Sequence, residues 1–203
     1  WDSYQKEMFA RSMPSNTELT VCGPAYFSDS SSKIPNSTRP VIAVFNIDPH
    51  RKSSHFGVST IADYYANCPA VNYLFLIDIA EVARKLGVNI YIKLKRDVGN
   101  RLPRSYRKCL SKIMQFGNVV IVPSDVSPFR LIEHSDAVLS APFTSPTIFG
   151  KYLDRPAAYY DAGDWINPND PASRGQPILQ GREQLERWIK ETFDQIIDET
   201  EDR

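Results

Sequence analysis

The chain has 203 residues, 42% of them apolar, with 24 lysines and arginines against 24 acidic residues and a formal net charge of zero. That is enough apolar material for one ordinary domain with extensions. The even charge balance excludes the electrostatic footprint of a nucleic-acid-binding protein or of one that spreads on an anionic membrane.

The chain opens without methionine on Trp1-Asp2-Ser3-Tyr4-Gln5, which reads as the middle of a larger protein. Residues 4–13 have the pattern of a short helix, and Leu19-Thr20-Val21-Cys22-Gly23 that of a small strand. The segment SDSSSKIPNSTRP, residues 28–40, is rich in serine and proline and nearly without apolar content, so an exposed linker is expected. Residues 1–40 are thus a leading segment and linker, and residues 41–203 the main domain. Its first element, Val41-Ile42-Ala43-Val44-Phe45-Asn46-Ile47, is an apolar, β-branched run of the kind buried on both faces of a parallel sheet. A long loop carrying Cys68 follows, then a helix over 71–86 that Gly87 should end. Val88–Leu94 is the second strand, 104–115 a helix, and Asn118–Val122 the third strand. A short helix over Phe129–Glu133, a strand over Ala137–Ser140, a helix over 146–153 and a strand over Ala157–Tyr160 continue the alternation. NPNDPASRGQP is a loop, and 181–197 an amphipathic closing helix. Strand alternating with helix implies an α/β, Rossmann-like doubly wound parallel sheet with helices on both faces.

Motif absences narrow the chemistry. No G-x-G-x-x-G follows the first strand, and there is no G-x-x-x-x-G-K-[ST], H-E-x-x-H or G-x-S-x-G. Dinucleotide, P-loop, zincin and hydrolase readings therefore lose their main warrant. Cys22, Cys68 and Cys109 are far apart and lack C-x-x-C spacing, which argues against a disulfide framework and for a reducing compartment. His50, His55 and His134 have no metal-ligand spacing, so no metal and no cofactor is expected. No run reaches the roughly 18 apolar residues of a membrane span.

In an open parallel sheet the ligand lies beyond the carboxyl ends of the strands. The residues there include Asp48 and His50 after the first strand, candidates for acid/base work or sugar contact, and Lys93, Lys95 and Arg96 at the second. Ser124 and Asp125 follow the third strand; Asp125 or Glu133 has the acceptors a ribose needs. Phe143-Thr144-Ser145-Pro146-Thr147 follows the fourth. Ser145 is placed to cap a helix with Pro146 in its first position, leaving Thr144 or Thr147 for a ligand. Unpaired N–H groups, helix dipole and hydroxyls at such a start suit a phosphate. Ordinary capping and solvated basic residues explain each motif taken singly; their combination points to the phosphate of a nucleotide-sugar.

These residues carry a resemblance. IYIKLKR, PRSYRKCLSKI, NVVIVPSD, FRLIEHSDAVLSAPFTSPTIFGKYLDRPAAYYDA and GREQLERWIKETF resemble the C-terminal, nucleotide-sugar-binding half of GT-B glycosyltransferases. The closest likeness is to bacterial enzymes of capsule and lipopolysaccharide synthesis, including those that transfer Kdo or sialic acid, over about residues 88–197. The resemblance implies that Ser124 and Asp125 lie near the base, that Thr144, Ser145 and Thr147 contact phosphate, and that Lys93, Lys95 and Arg96 form the basic motif. Transferases using CMP-activated sugars commonly carry His-Pro in that motif, where this chain has Lys95-Arg96. It further implies a cytoplasmic transferase, peripheral to the inner membrane. Its glycan or glycolipid acceptor would be held by a missing N-terminal domain, which often supplies the catalytic group, so no catalytic residue is assigned here. A sugar-nucleotide epimerase domain and a non-catalytic nucleotide-sugar-binding module are the alternatives.

Overall fold

A computed structural model of the chain describes residues 2–22, 32–47, 69–94 and 103–201. A short helix α1 (Ser3–Ala10) precedes strand β1 (Val41–Phe45) and helix α2 (Pro69–Lys85). Then follow β2 (Asn89–Lys93), α3 (Arg104–Met114), β3 (Val119–Val122), α4 (Pro128–Glu133), β4 (Ala137–Ser140) and α5 (Ser145–Tyr152). β5 (Ala157–Asp161), β6 (Ile178–Gln180) and α6 (Gly181–Glu201) complete the chain. The six strands form one sheet of order β3-β2-β1-β4-β5-β6 with every neighbouring pair parallel. The chain winds outward from β1 to β3, returns to the other side of β1 with β4, and winds outward again. This is the doubly wound architecture expected from the alternation.

Period-two alternation in β1 divides the core. Ile42 and Val44 join Ile90 and Ile92 beneath α2, α3 and α6, whereas Val41, Ala43 and Phe45 join Tyr91 beneath α4 and α5. All of β1 is buried, which is why its sequence is a continuous apolar run rather than an alternating one. The helix before β2 stops where glycine permits a left-handed turn. Gly87 has φ +72°, its N–H donates to Arg84 O, and Val88 N donates to Ala83 O, the paired bonds of a Schellman cap. At the start of β4, Asp136 Oδ2 accepts the Val41 amide at 2.8 Å and so sets the β1–β4 register from below.

Two expectations are revised. Leu19–Cys22 is irregular rather than a strand; Gly23 lies outside the described residues. β6 occupies Ile178–Gln180, which the pattern left unassigned between loop and closing helix, because three residues are too few for a periodicity to register. Residues 32–40 are exposed or half-buried, as expected of the linker, and are tied to the domain. Tyr91 Oη donates to Pro35 O at 2.8 Å, Arg130 Nη2 to Ser32 O at 3.2 Å and Asn89 Nδ2 to Ser37 Oγ at 2.9 Å, and Ile34 packs on the second core.

Helix α5 lies close on the sheet because Gly150 has no side chain: a Cβ there would stand 2.9 Å from Ala157 Cβ and 3.1 Å from Val138 Cγ2. Gly150→Ala must push the helix off β4 and β5. The expected loss is about 1–3 kcal/mol of stability, the usual cost of overpacking, read from the urea midpoint.

Candidate functional site

The sheet changes winding direction between β1 and β4, and there the loops leaving the two strands part. The last ladder bond between them is Ala141 N to Phe45 O, 3.0 Å. Beyond it is a pocket of about 370 Å³. Phe45, Asn46 and Ile47 at the end of β1 form one wall, Lys93 at the end of β2 and Pro128 at the start of α4 another, and Phe143, Thr144, Ser145 and Pro146 the third.

The third wall is built from hydroxyls. Ser140 is fully buried at the end of β4. Thr144 Oγ1 lies 2.8 Å from Ser140 Oγ and 2.7 Å from Ala141 O, so the threonine is tied back to the strand. Ser140 Oγ also hydrogen-bonds Thr147 Oγ1, which in turn reaches Ala158 O at 3.3 Å. To close this turn Phe143 takes φ +61°, a left-handed conformation costing roughly 1–2 kcal/mol for an L-residue with a side chain. Thr144, not Ser145, is the cap residue of α5; its φ is −87° and ψ 148°, and it makes no side-chain cap bond. Its hydroxyl is spent on the strand, which leaves the amides of the first turn without a side-chain cap. Ser145 and Pro146 therefore stand one position deeper in the helix than expected, and both still line the pocket.

Lys93 reaches the pocket from the facing wall. Strand alternation sends it to the same face as Tyr91, under α4, and its residue is only 7% exposed. Nζ donates to Ser124 O at 2.7 Å. Burial holds its pKa below the usual lysine value of 10.5, while the Asp125 carboxylate works in the opposite direction. Asn46, 8% exposed, completes the polar groups; it donates through Nδ2 to Tyr106 Oη at 3.3 Å and accepts the Ile47 amide at 2.8 Å.

Of the residues singled out in the sequence, Lys93, Thr144 and Ser145 converge on this pocket. Thr147 does not. It faces inward at zero exposure, its hydroxyl engaged with Ser140 and Ala158, because the third helical position points to the sheet once the cap is Thr144. Ser124 and Asp125 support the site from behind: the first gives its carbonyl to Lys93, and the second accepts from Ser32 Oγ at 2.6 Å. Glu133 is not brought to the pocket. It ends α4, whose start is at the pocket, and lines a separate open depression with Arg130, His134 and Lys33. Asp161 is a turn-maker whose Oδ2 accepts the Trp165 and Ile166 amides, each at 2.7 Å. Asp48, His50, Lys95 and Arg96 lie outside the described residues. Ser140 and Asn46 are contributors that composition alone does not mark; Ser140 is betrayed only by ending an otherwise apolar strand. Among the described residues no group of His, Cys, Asp and Glu could hold a metal ion.

Comparison with known proteins adds a family. The family model described as "Polysaccharide biosynthesis PFTS motif protein" matches residues 1–189. The tetrapeptide Pro-Phe-Thr-Ser occurs once in this chain, at Pro142–Ser145, the turn that forms the third wall. No match was found among curated proteins. Among solved structures, the E. coli heptosyltransferase WaaC with ADP is similar at 14% identity and a TM-score of 0.44, covering 77% of this chain and 45% of that one. E. coli WaaC with ADP-2-deoxy-2-fluoro heptose is similar at 17% identity and a TM-score of 0.41, covering 81% and 45%. This chain spans less than half the length of either.

Two outcomes follow from the geometry. Ser140→Ala leaves the buried Thr147 and the half-buried Thr144 hydroxyls short of a partner and should cost about 1–3 kcal/mol, seen as a lower urea midpoint. Lys93 has a depressed folded pKa, so keeping it charged opposes folding below that value, and the opposition is relieved as pH rises from it to 10.5. Over that window the native chain should gain stability relative to Lys93→Met; parallel pH profiles of the two would contradict the burial of the ammonium.

Proposed function

We propose that this chain, which belongs to the polysaccharide biosynthesis PFTS motif family, is the donor-binding domain of a glycosyltransferase that takes its sugar from a nucleotide-sugar. One observation carries the reading: Lys93 and the uncapped first turn of α5 enter a single pocket at the point where the sheet reverses its winding. A cation on one side and helix amides on the other suit a phosphate ester. The sequence resemblance to the nucleotide-sugar-binding half of GT-B transferases supports the same reading. The match to a polysaccharide biosynthesis family favours the donor reading over an epimerase. A catalytic group from elsewhere in the full protein is part of the proposal.

Glycosyl transfer breaks the bond between the sugar's anomeric carbon and a phosphate oxygen, and the bonding pair stays with the phosphate. Negative charge thus grows on the departing nucleotide. Lys93 Nζ is held against Ser124 O, and the α5 amides are fixed by the fold. Donors that need not reorganise favour the separated charge over the intact ester. Lys95 and Arg96, the next basic residues along the chain, are assigned to the same phosphates. The transferred sugar is destined for a surface-polysaccharide acceptor, with a CMP-activated sugar among the donors to be tried. Among the described residues no helix is long and apolar enough to cross a membrane; cytoplasmic action is part of the proposal.

Titration calorimetry with CMP, UDP, GDP and ADP tests the reading. One nucleotide should bind, and Lys93→Met, Lys95→Ala or Ser145→Ala should weaken it, the Lys93 change by about tenfold or more as expected for a charge-assisted hydrogen bond. Silence with all four nucleotides would leave the donor reading without support and favour a non-catalytic module.

A further inference from the structure

The mouth of the pocket holds a residue that the phosphate argument leaves unexplained. Phe143 sits in the left-handed region at φ +61°, and 40% of it remains exposed. Glycine, or asparagine, is the ordinary occupant of such a conformation. The aromatic residue is therefore held at a conformational cost. Its one ring neighbour among the described residues is Tyr159, with centroids 6.0 Å apart and planes inclined at 55°. The ring lines the same pocket as Lys93 and Ser145, and five of the nine lining residues there are apolar. A sugar ring would meet few hydroxyl partners on that surface; a flat heterocycle needs none on its face.

We propose that Phe143 is the base-stacking residue of this pocket, an aromatic against whose ring the nucleoside base of the donor lies. The inference rests on the nucleotide-sugar reading and adds the contact to the base. The left-handed turn lifts the ring out of the sheet beside the start of α5, so that a base can stack on the ring while its phosphate meets the helix amides. Stacking on an aromatic ring tolerates any base, so Phe143 supplies affinity for a nucleoside, and the choice among bases falls to other groups.

The test compares binding of the best nucleoside monophosphate and of ribose 5-phosphate, which has the sugar and phosphate but no base, to the native chain and to Phe143→Gly, Phe143→Leu and Phe143→Tyr. The monophosphate should bind Phe143→Gly and Phe143→Leu about tenfold or more weakly, the loss typical of removing one stacked base, whereas Phe143→Tyr should bind as the native chain does. Ribose 5-phosphate should bind all four chains alike. Phe143→Leu, which keeps apolar bulk, covers the case in which the glycine variant does not fold. Equal monophosphate affinity across the series, or a parallel loss for ribose 5-phosphate, overturns the proposal while the donor reading stands. Failure of the native chain to bind any nucleotide overturns that reading and this inference together.

Discussion

Where β1 and β4 part, the last bond of their ladder runs from Ala141 N to Phe45 O at 3.0 Å, and the rest of the site depends on what happens one residue later. A strand leaving a buried sheet must satisfy its backbone or turn into solvent. Here it turns around the buried Ser140 hydroxyl, which gathers Thr144 and Thr147 and so couples the end of a strand to the start of a helix. The left-handed Phe143, the uncapped first turn of α5 and the open pocket all follow from that closure. A Thr144 hydroxyl turned forward would instead cap the amides of the first turn, which it now leaves without a side-chain partner.

Packing on the two faces of the sheet gives this corner its rigidity. On one side α2, α3 and α6 bury a continuous aliphatic core against β1 and β2. On the other, α4 and α5 are short and lie close, α5 because Gly150 admits the sheet to within contact distance. The side with the shorter helices carries the pocket: both begin at the carboxyl edge of the sheet, and neither extends across it. Lys93 is fixed from the same face by Ser124 O, so its cation is placed without a long flexible arm in solvent. A buried ammonium held below its ordinary pKa opposes folding, and an anion bound at the proposed site would reduce that cost.

The sequence alone made most of the fold legible. Residues 41–47 could hardly be other than a central strand, and Gly87 and Pro146 marked helix ends for reasons of backbone geometry that hold in any context. The site was legible only in outline. The strand-end rule pointed to Lys93, Thr144 and Ser145 because it follows from connectivity, but it could not tell Thr147 from Thr144. Both are hydroxyls at a helix start, and a one-residue shift of the cap turns one toward the pocket and the other into the core. Glu133 was misplaced for a similar reason: its distance along the chain from Asp125 is short, yet a helix running antiparallel to the strands carries it away from the ligand edge.

Periodicity, turn chemistry and the order of apolar runs are local quantities, and by themselves they determined a doubly wound parallel sheet with its polar residues collected at one edge. Tertiary structure decided the strand order, and with it which two loops diverge to make a pocket. It also decided which hydroxyls are consumed in holding the turn and which cation is drawn under α4. Those outcomes depend on contacts between residues tens of positions apart, such as Lys93 with Ser124 and Asp136 with Val41, whose energies no local pattern encodes.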